Sequence, residues 1–239
     1  MHHTLSGHVE LGGLSGLVSL VSRHGEVHVD VMGNLEPDGA EPMKRDTIFR
    51  IASLTKPMTA VAVMILVEEC WLHLDEPVDR LIPELANRKV LKEISSPLTD
   101  TVPAKRPITV RDTLNFCLGF GSIMAMPNTY PIQTSVRDLK IGGDGPPLPA
   151  DGPSTQEWID GLASLPLISQ PGEKWLYNTG ADVQGVLVER CTGQSLEAFM
   201  KERIFDPLGM KDTAFSVPPD AGRDVKPQLR PVWIGVRAC

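Results

Sequence analysis

Ser53-Leu54-Thr55-Lys56 is the part of this sequence best equipped for chemistry. Residues three apart on a helix share a face with Cβ atoms about 5–6 Å apart, so Lys56 can reach the Ser53 hydroxyl. A serine hydroxyl is a weak nucleophile until a base takes its proton, and a partly buried lysine of lowered pKa can serve. A helix start adds backbone N–H groups that favour a developing oxyanion. The four-residue spacing alone says little, because a chain with this many serines and lysines contains one by chance about as often as not. Its context says more: the match opens an apolar helical pattern directly after a short β-like stretch, Thr47 to Ile51.

Other serine designs are disfavoured. All six histidines lie at or before His73, so a triad with its histidine after Ser53 would have to use His73. No Gly-x-Ser-x-Gly occurs. Cys70, Cys117, Cys191 and Cys239 form no Cys-x-x-Cys pair, which argues against a zinc or redox site, and Cys70 and Cys191 read as buried thiols. The net charge of -7, with scattered basic residues, disfavours nucleic acid and anionic membranes as partners. The run Met58 to Val67 is far shorter than the ~20 residues of a bilayer span. The N-terminal residues resemble no leader peptide, so a cytoplasmic location is expected.

The elements that must position the serine follow from periodicity. Leu5 to Leu14 reads as the end of a helix stopping at Gly12-Gly13. Leu17–Arg23 and Val27–Met32 read as a hairpin about His24-Gly25-Glu26, with Val27, Val29 and Val31 on a buried face. From Leu54 to Glu69 the pattern is helical, with Val61, Ile65 and Glu68-Glu69 spaced for one buried and one wet face. Ser53 is suited to be its N-cap, and Pro57 falls in its first turn. Gly142 to Pro153 is a loop, and helices are expected over Thr155–Leu165, Gly180–Thr192 and Ser195–Phe205. The order implies an α+β fold: an antiparallel sheet with flanking helices and a mostly helical insertion over about 78–166. Residues 1–216 form the expected catalytic region. The tail, 217–239, shows no sustained period, only Arg230 to Val236 could pair as a strand, and the sheet is expected to be incomplete, as in a truncated or frame-shifted chain.

Phe49-Arg50-Ile51-Ala52-Ser53-Leu54-Thr55-Lys56-Pro57 closely resembles the nucleophile segment of the class C β-lactamase and penicillin-binding-protein superfamily, and is most similar to its esterase branch, the family VIII carboxylesterases. Asp75-Glu76-Pro77-Val78, Ile108-Thr109-Val110-Arg111-Asp112, Pro171-Gly172-Glu173-Lys174-Trp175 and Phe205-Asp206-Pro207-Leu208-Gly209-Met210 follow in the family's order. Tyr177-Asn178-Thr179 occupies the place of the second family motif. The resemblance implies a β-lactamase/transpeptidase-like fold in which Tyr177 shares the Ser53 proton with Lys56. Thr179, in place of the usual Asn or Ser, could bond Lys56, and Thr179 and Trp175 are expected on the substrate side. Leu114 to Gly121 stands where many relatives carry a His-Thr-Ser-Gly-like loop and reads as a plain turn. Trp233-Ile234-Gly235 has the form of a third-motif Trp-x-Gly but follows Tyr177 too closely, and is read as incidental.

The leading expectation is a serine esterase acting on short-chain carboxylic esters through an acyl-enzyme on Ser53. The alternatives are β-lactamase or D-alanyl-D-alanine peptidase activity by the same acylation, or a fragment without turnover. The substrate is a small-molecule ester, and no metal or organic cofactor is implied.

Overall fold

The computed structural model describes residues 2–142, 152–216 and 235–236. The loop expected over Gly142–Pro153 lies mostly outside these residues, as does nearly all of the tail. The chain divides into two compact units: Met1–Ala52 with Gly209–Cys239, and Ser53–Leu208.

In the first unit, helix α1 (His2–Glu10) precedes strands β1 (Gly16–Arg23) and β2 (Glu26–Gly33), which pair antiparallel from Gly16↔Gly33 to Arg23↔Glu26. His24 and Gly25 both have positive φ, +52° and +83°. That is the requirement of the two-residue turn whose twist matches the strands. The buried valine face expected here is absent: Val27 is 53% exposed, Leu20 and Val21 are also exposed, and Val29 and Val31 are half-buried. Among the described residues this sheet has only two strands. Strand β3 (Phe49–Arg50) pairs antiparallel with β6 (Gly235–Val236), so the segment suited to a strand does pair at its last two residues.

The second unit begins at Ser53. Helix α2 (Thr55–Glu68) follows a 3₁₀ turn over Ala52–Leu54. Its buried stripe is Thr59, Ala62, Val63 and Leu66, whereas Val61 and Met64 face solvent, so the wet face is more apolar than the spacing suggested. Cys70 is exposed and Cys191 half-buried, contrary to the expectation of buried thiols. Cys70 stands just past the end of α2 in a left-handed turn (φ +61°), at the rim of the core.

Beyond α2 come strands β4 (Lys89–Leu91) and β5 (Thr101–Pro103), paired with each other, then helices α3 (Val110–Leu114), α4 (Pro131–Asp138), α5 (Thr155–Ser164), α6 (Thr179–Thr192) and α7 (Leu196–Met200), the last continued by a π turn over Lys201–Phe205. The α+β character is as expected, but among the described residues the strands form three separate antiparallel pairs, and a parallel bridge joins Val90 of β4 to Leu167. Among the described residues no helix is long and apolar enough to cross a membrane.

The core of this unit forms where α6 packs on α2 and α3, joined by Val183, Val186 and Leu187 on one side and Ala62, Val63 and Leu66 on the other. The approach of α6 to α3 is close enough that a Cβ on Gly180 would lie 2.5 Å from the Thr113 carbonyl oxygen, which also accepts a 2.8 Å hydrogen bond from Gln184. Two of the motifs meet as scaffold. Val78 N–H donates to the Ile108 carbonyl at 2.9 Å, Pro77 bridges to Thr109, and Arg111 pairs with Asp75 at 2.7 Å.

Thr109 and Asp112 form a reciprocal cap at the start of α3, and the buried Asp112 carboxylate also accepts two bonds from Arg106, at 2.6 and 2.9 Å. Burial alone would raise the Asp112 carboxyl, but the bonds from Arg106 and Thr109 prevail and hold it below the usual carboxylate value. A depressed folded value means stability that is present above about pH 4 and lost as pH falls through the folded value. Asp112→Asn is expected to lower stability by about 2 kcal/mol at neutral pH. It should also flatten the decline of the melting temperature in acid, which thermal melts over a pH series would read.

Candidate active site

Ala52, with φ +43°, turns the chain out of β3 into the 3₁₀ turn that carries Ser53. Left-handed backbone in a residue with a Cβ costs about 1 kcal/mol or more and is found where local geometry must be held. Ser53 is not the N-cap of α2. That position belongs to Leu54, in helical conformation and without a side-chain cap, because the 3₁₀ turn runs straight into the helix. The Ser53 hydroxyl is thereby left for other partners and remains exposed.

Those partners are the two expected. Lys56 Nζ donates to Ser53 Oγ at 3.1 Å, and Tyr177 OH donates to the same oxygen at 2.8 Å. The Lys56 ammonium also lies 4.7 Å from the centroid of the Tyr177 ring. The phenol is held below its ordinary value, first by the hydrogen bond to Ser53 and then by hydrogen bonding from Lys56, while burial opposes and the Lys56 charge adds to the lowering.

Tyr177 is brought to this point by backbone constraints on either side. Leu176 N–H donates to the Phe116 carbonyl and Ser122 N–H to the Tyr177 carbonyl, each at 2.8 Å. Gly121 lies so close that a Cβ there would be 2.6 Å from the Leu176 and Tyr177 carbonyl oxygens. Asn178 then takes φ +86°, ψ -71°, a strained turn that starts α6 without a side-chain cap. The ring is walled by Trp175, stacked at 5.8 Å between centroids, and by Phe116 at 6.0 Å, with Phe116 and Trp175 edge-to-face at 6.1 Å. Trp175 is 63% exposed.

Two expectations change here. Leu114 to Gly121 is not a plain turn: its backbone holds the Tyr177 segment, and Phe116 packs on the tyrosine. The Gly119-Phe120-Gly121 pattern was the available signal, since paired glycines mark close backbone approach. Thr179 is buried as the first residue of α6, and among the described residues its hydroxyl makes no hydrogen bond to Lys56. Gly235, in β6, pairs with Arg50, three residues before Ser53, while Trp233 and Ile234 lie outside the described residues. A cavity of about 150 Å³ lined by Leu66, Glu69, Trp71, Phe199 and Arg203 sits at the far end of α2, about 20 Å along the helix from Lys56, and takes no part in this cluster.

A hydroxyl held by an amine one turn on and a phenol from 124 residues away is an arrangement for moving a proton off an oxygen nucleophile. A family profile described as Beta-lactamase matches residues 2–226. The chain belongs to the beta-lactamase family. Protein Rv1367c of Mycobacterium tuberculosis is 39% identical over 215 residues, which are 90% of this chain and 51% of that protein. Esterase EstB of Burkholderia gladioli is 37% identical over 203 residues, 84% of this chain and 47% of that protein. The chain therefore spans about half the length of these curated relatives. Among solved structures, EstCE1, titled a hydrolase with promiscuous acyltransferase activity, matches with a TM-score of 0.76 and 28% identity over 90% of this chain and 52% of that one. The fold is of the β-lactamase/transpeptidase type, and this branch of the beta-lactamase family includes esterases.

Proposed function

We propose that this chain carries the acylation machinery of a serine esterase that cleaves short-chain carboxylic esters through an acyl-enzyme on Ser53. The observation that carries the reading is the double hydrogen bond to Ser53 Oγ, from Lys56 and from Tyr177. With the phenol ionised, the Ser53 hydroxyl gives its proton to Tyr177 while Oγ bonds to the ester carbonyl carbon. The tetrahedral intermediate places its negative charge on the former carbonyl oxygen, near the backbone N–H groups at the start of α2. Collapse breaks the bond to the alcohol, which takes the proton from Tyr177. Water then attacks the acyl-enzyme by the reverse proton path and releases the acid. The Lys56 amine beside the phenol favours phenolate over phenol. Trp175 and Thr179 belong to the substrate side in this reading, with the exposed indole offering an apolar surface beside the nucleophile.

A fluorophosphonate probe should modify the intact chain once, on the peptide that contains Ser53, as mass spectrometry would locate it. The chain should turn over p-nitrophenyl butyrate in preference to nitrocefin. Modification that persists in Ser53→Ala would overturn the assignment of the nucleophile, and preferential nitrocefin turnover would move the reading to a β-lactamase.

A further inference from the structure

Of the aromatic side chains gathered at Ser53, Trp175 is the one that stays mostly in water, at 63% exposed. Part of it is fixed: the ring stacks on Tyr177 at 5.8 Å between centroids, with 29° between the planes, and meets Phe116 edge-to-face at 6.1 Å. The backbone that carries it is tied on both sides. Gly172 N–H donates to the Cys117 carbonyl at 2.7 Å, and Leu176 N–H to the Phe116 carbonyl at 2.8 Å. Among the described residues the Trp175 indole N–H makes no hydrogen bond, whereas that of the half-buried Trp158 donates to the Ile141 carbonyl at 3.1 Å. A large ring that is held rigid and left in water loses little entropy when a ligand covers it, which is what a binding surface needs.

The proton path decides which half of an ester this ring meets. Ser53 Oγ bonds to the carbonyl carbon, the bond from that carbon to the alcohol oxygen breaks, and the alcohol oxygen takes the proton from Tyr177. That transfer needs the alcohol oxygen within about 2.6–3.2 Å of the phenol oxygen. The substituent on the alcohol oxygen therefore starts at the tip of the Tyr177 ring, the ring on which Trp175 is stacked. The acyl group extends instead from the carbon held by Ser53, whose carbonyl oxygen is directed to the start of α2.

We propose that Trp175 sets the specificity for the alcohol half of the ester, and that the favoured alcohol is aromatic. Its ring covers the exposed indole while its oxygen sits at the Tyr177 phenol. Ring pairs in offset or edge-to-face contact gain more than the area they bury, so an aromatic alcohol is preferred to an aliphatic one of equal bulk. The contact is made before and during the breaking of the bond to the alcohol and is lost when the alcohol leaves, so it acts on acylation and not on hydrolysis of the acyl-enzyme. A short acyl group and a large alcohol are thus compatible at one centre.

The inference rests on the hydrolase reading, and one experiment separates the two. The kcat/KM values for benzyl acetate, cyclohexylmethyl acetate and methyl phenylacetate would be measured for the unaltered chain, Trp175→Ala and Trp175→Phe. The two acetates leave the same acyl-enzyme and differ only in the alcohol, whereas methyl phenylacetate is an isomer of benzyl acetate with its ring on the acyl side. The unaltered chain should favour benzyl over cyclohexylmethyl acetate by about threefold. Trp175→Ala should lower the ratio of benzyl acetate to methyl phenylacetate by about tenfold, and Trp175→Phe should restore most of it. A ratio taken within one sample does not depend on how much of the chain is folded, so a loss of folded protein cannot imitate this result. An unchanged ratio in Trp175→Ala would overturn the proposal, and so would a loss confined to methyl phenylacetate, which would assign the indole to the acyl half. Preference of the unaltered chain for cyclohexylmethyl acetate would overturn the aromatic class. A chain whose Ser53 labels with fluorophosphonate while benzyl acetate stays uncleaved would sink this inference alone. One that neither labels nor cleaves would sink the hydrolase reading with it.

Discussion

Tyr177→Phe should slow acylation of Ser53 by about 10²–10⁴, with little change in KM for a neutral ester. The substitution removes one oxygen and leaves the ring, so the stack on Trp175 and the contact with Phe116 persist and the backbone ties at Leu176 and Ser122 are untouched. What disappears is the 2.8 Å contact to Ser53 Oγ, leaving that oxygen with Lys56 alone at 3.1 Å. If the phenol accepts the serine proton and returns it to the leaving alcohol, both halves of the reaction lose their carrier. The pH profile should change with the rate. In the unaltered chain activity should rise as the phenol ionises, at a pH below the ordinary phenol value because Ser53 and Lys56 stabilise the phenolate. In Tyr177→Phe that limb has no group behind it. Steady-state kinetics with p-nitrophenyl butyrate, together with labelling rates across pH, would measure both effects. A Phe variant that acylates at the unaltered rate would transfer the role of base to Lys56.

The residues that gather at Ser53 were readable because each belongs to a short pattern with a geometric meaning. Ser53 and Lys56 lie one turn apart whatever the rest of the chain does, and Tyr177 came from its place in the order of motifs. The hairpin was equally legible, since His24-Gly25 supplies the two positive φ values that a tight turn needs. The failures concern what lies opposite a residue or how one element runs into the next. Val27 alternates as a core strand should, but among the described residues its sheet has two strands and the valine is 53% exposed. Ser53 has the chemistry of an N-cap, but a 3₁₀ turn runs into α2 and gives that position to Leu54. Phe116 carries no local signal, because it is defined by rings 59 and 61 residues away. Periodicity describes a segment against an assumed neighbour, and here several of those neighbours differ.

Arg88→Ala should cost about 3–5 kcal/mol, a large stability loss for a substitution away from the Ser53 cluster. The arginine is 7% exposed, and among the described residues no carboxylate pairs with its charge. Its guanidinium donates instead to three carbonyl oxygens at the C-terminal end of α5: Leu162 at 2.9 Å, Ala163, and Leu165. The Leu162 carbonyl also accepts from the Leu165 N–H at 3.3 Å, and the last carbonyls of a helix together present the partial negative charge that favours a cation there. Burial draws the guanidinium down to about 10, so it stays charged at neutral pH and its bonds to the carbonyls are charge-assisted. Alanine would leave buried acceptors unsatisfied and a gap where the side chain ran. Lysine would return the charge without the planar fork that reaches several carbonyls at once. The consequence extends to the reactive cluster. Leu167 and Ile168 follow directly after α5, Leu167 joins β4 through Lys89 and Leu91, and Ile168 N–H holds the Gly119 carbonyl at 2.8 Å. Gly119 belongs to the same segment as Gly121, which fits beneath the Tyr177 backbone. Against the 5–15 kcal/mol that stabilises a typical domain, a loss of this size would populate the unfolded state appreciably. Urea denaturation should therefore show a midpoint shift at constant m, with labelling of Ser53 falling in step with the folded fraction. A loss below about 1 kcal/mol would mean that water satisfies the freed carbonyls and that this end of α5 is not sealed.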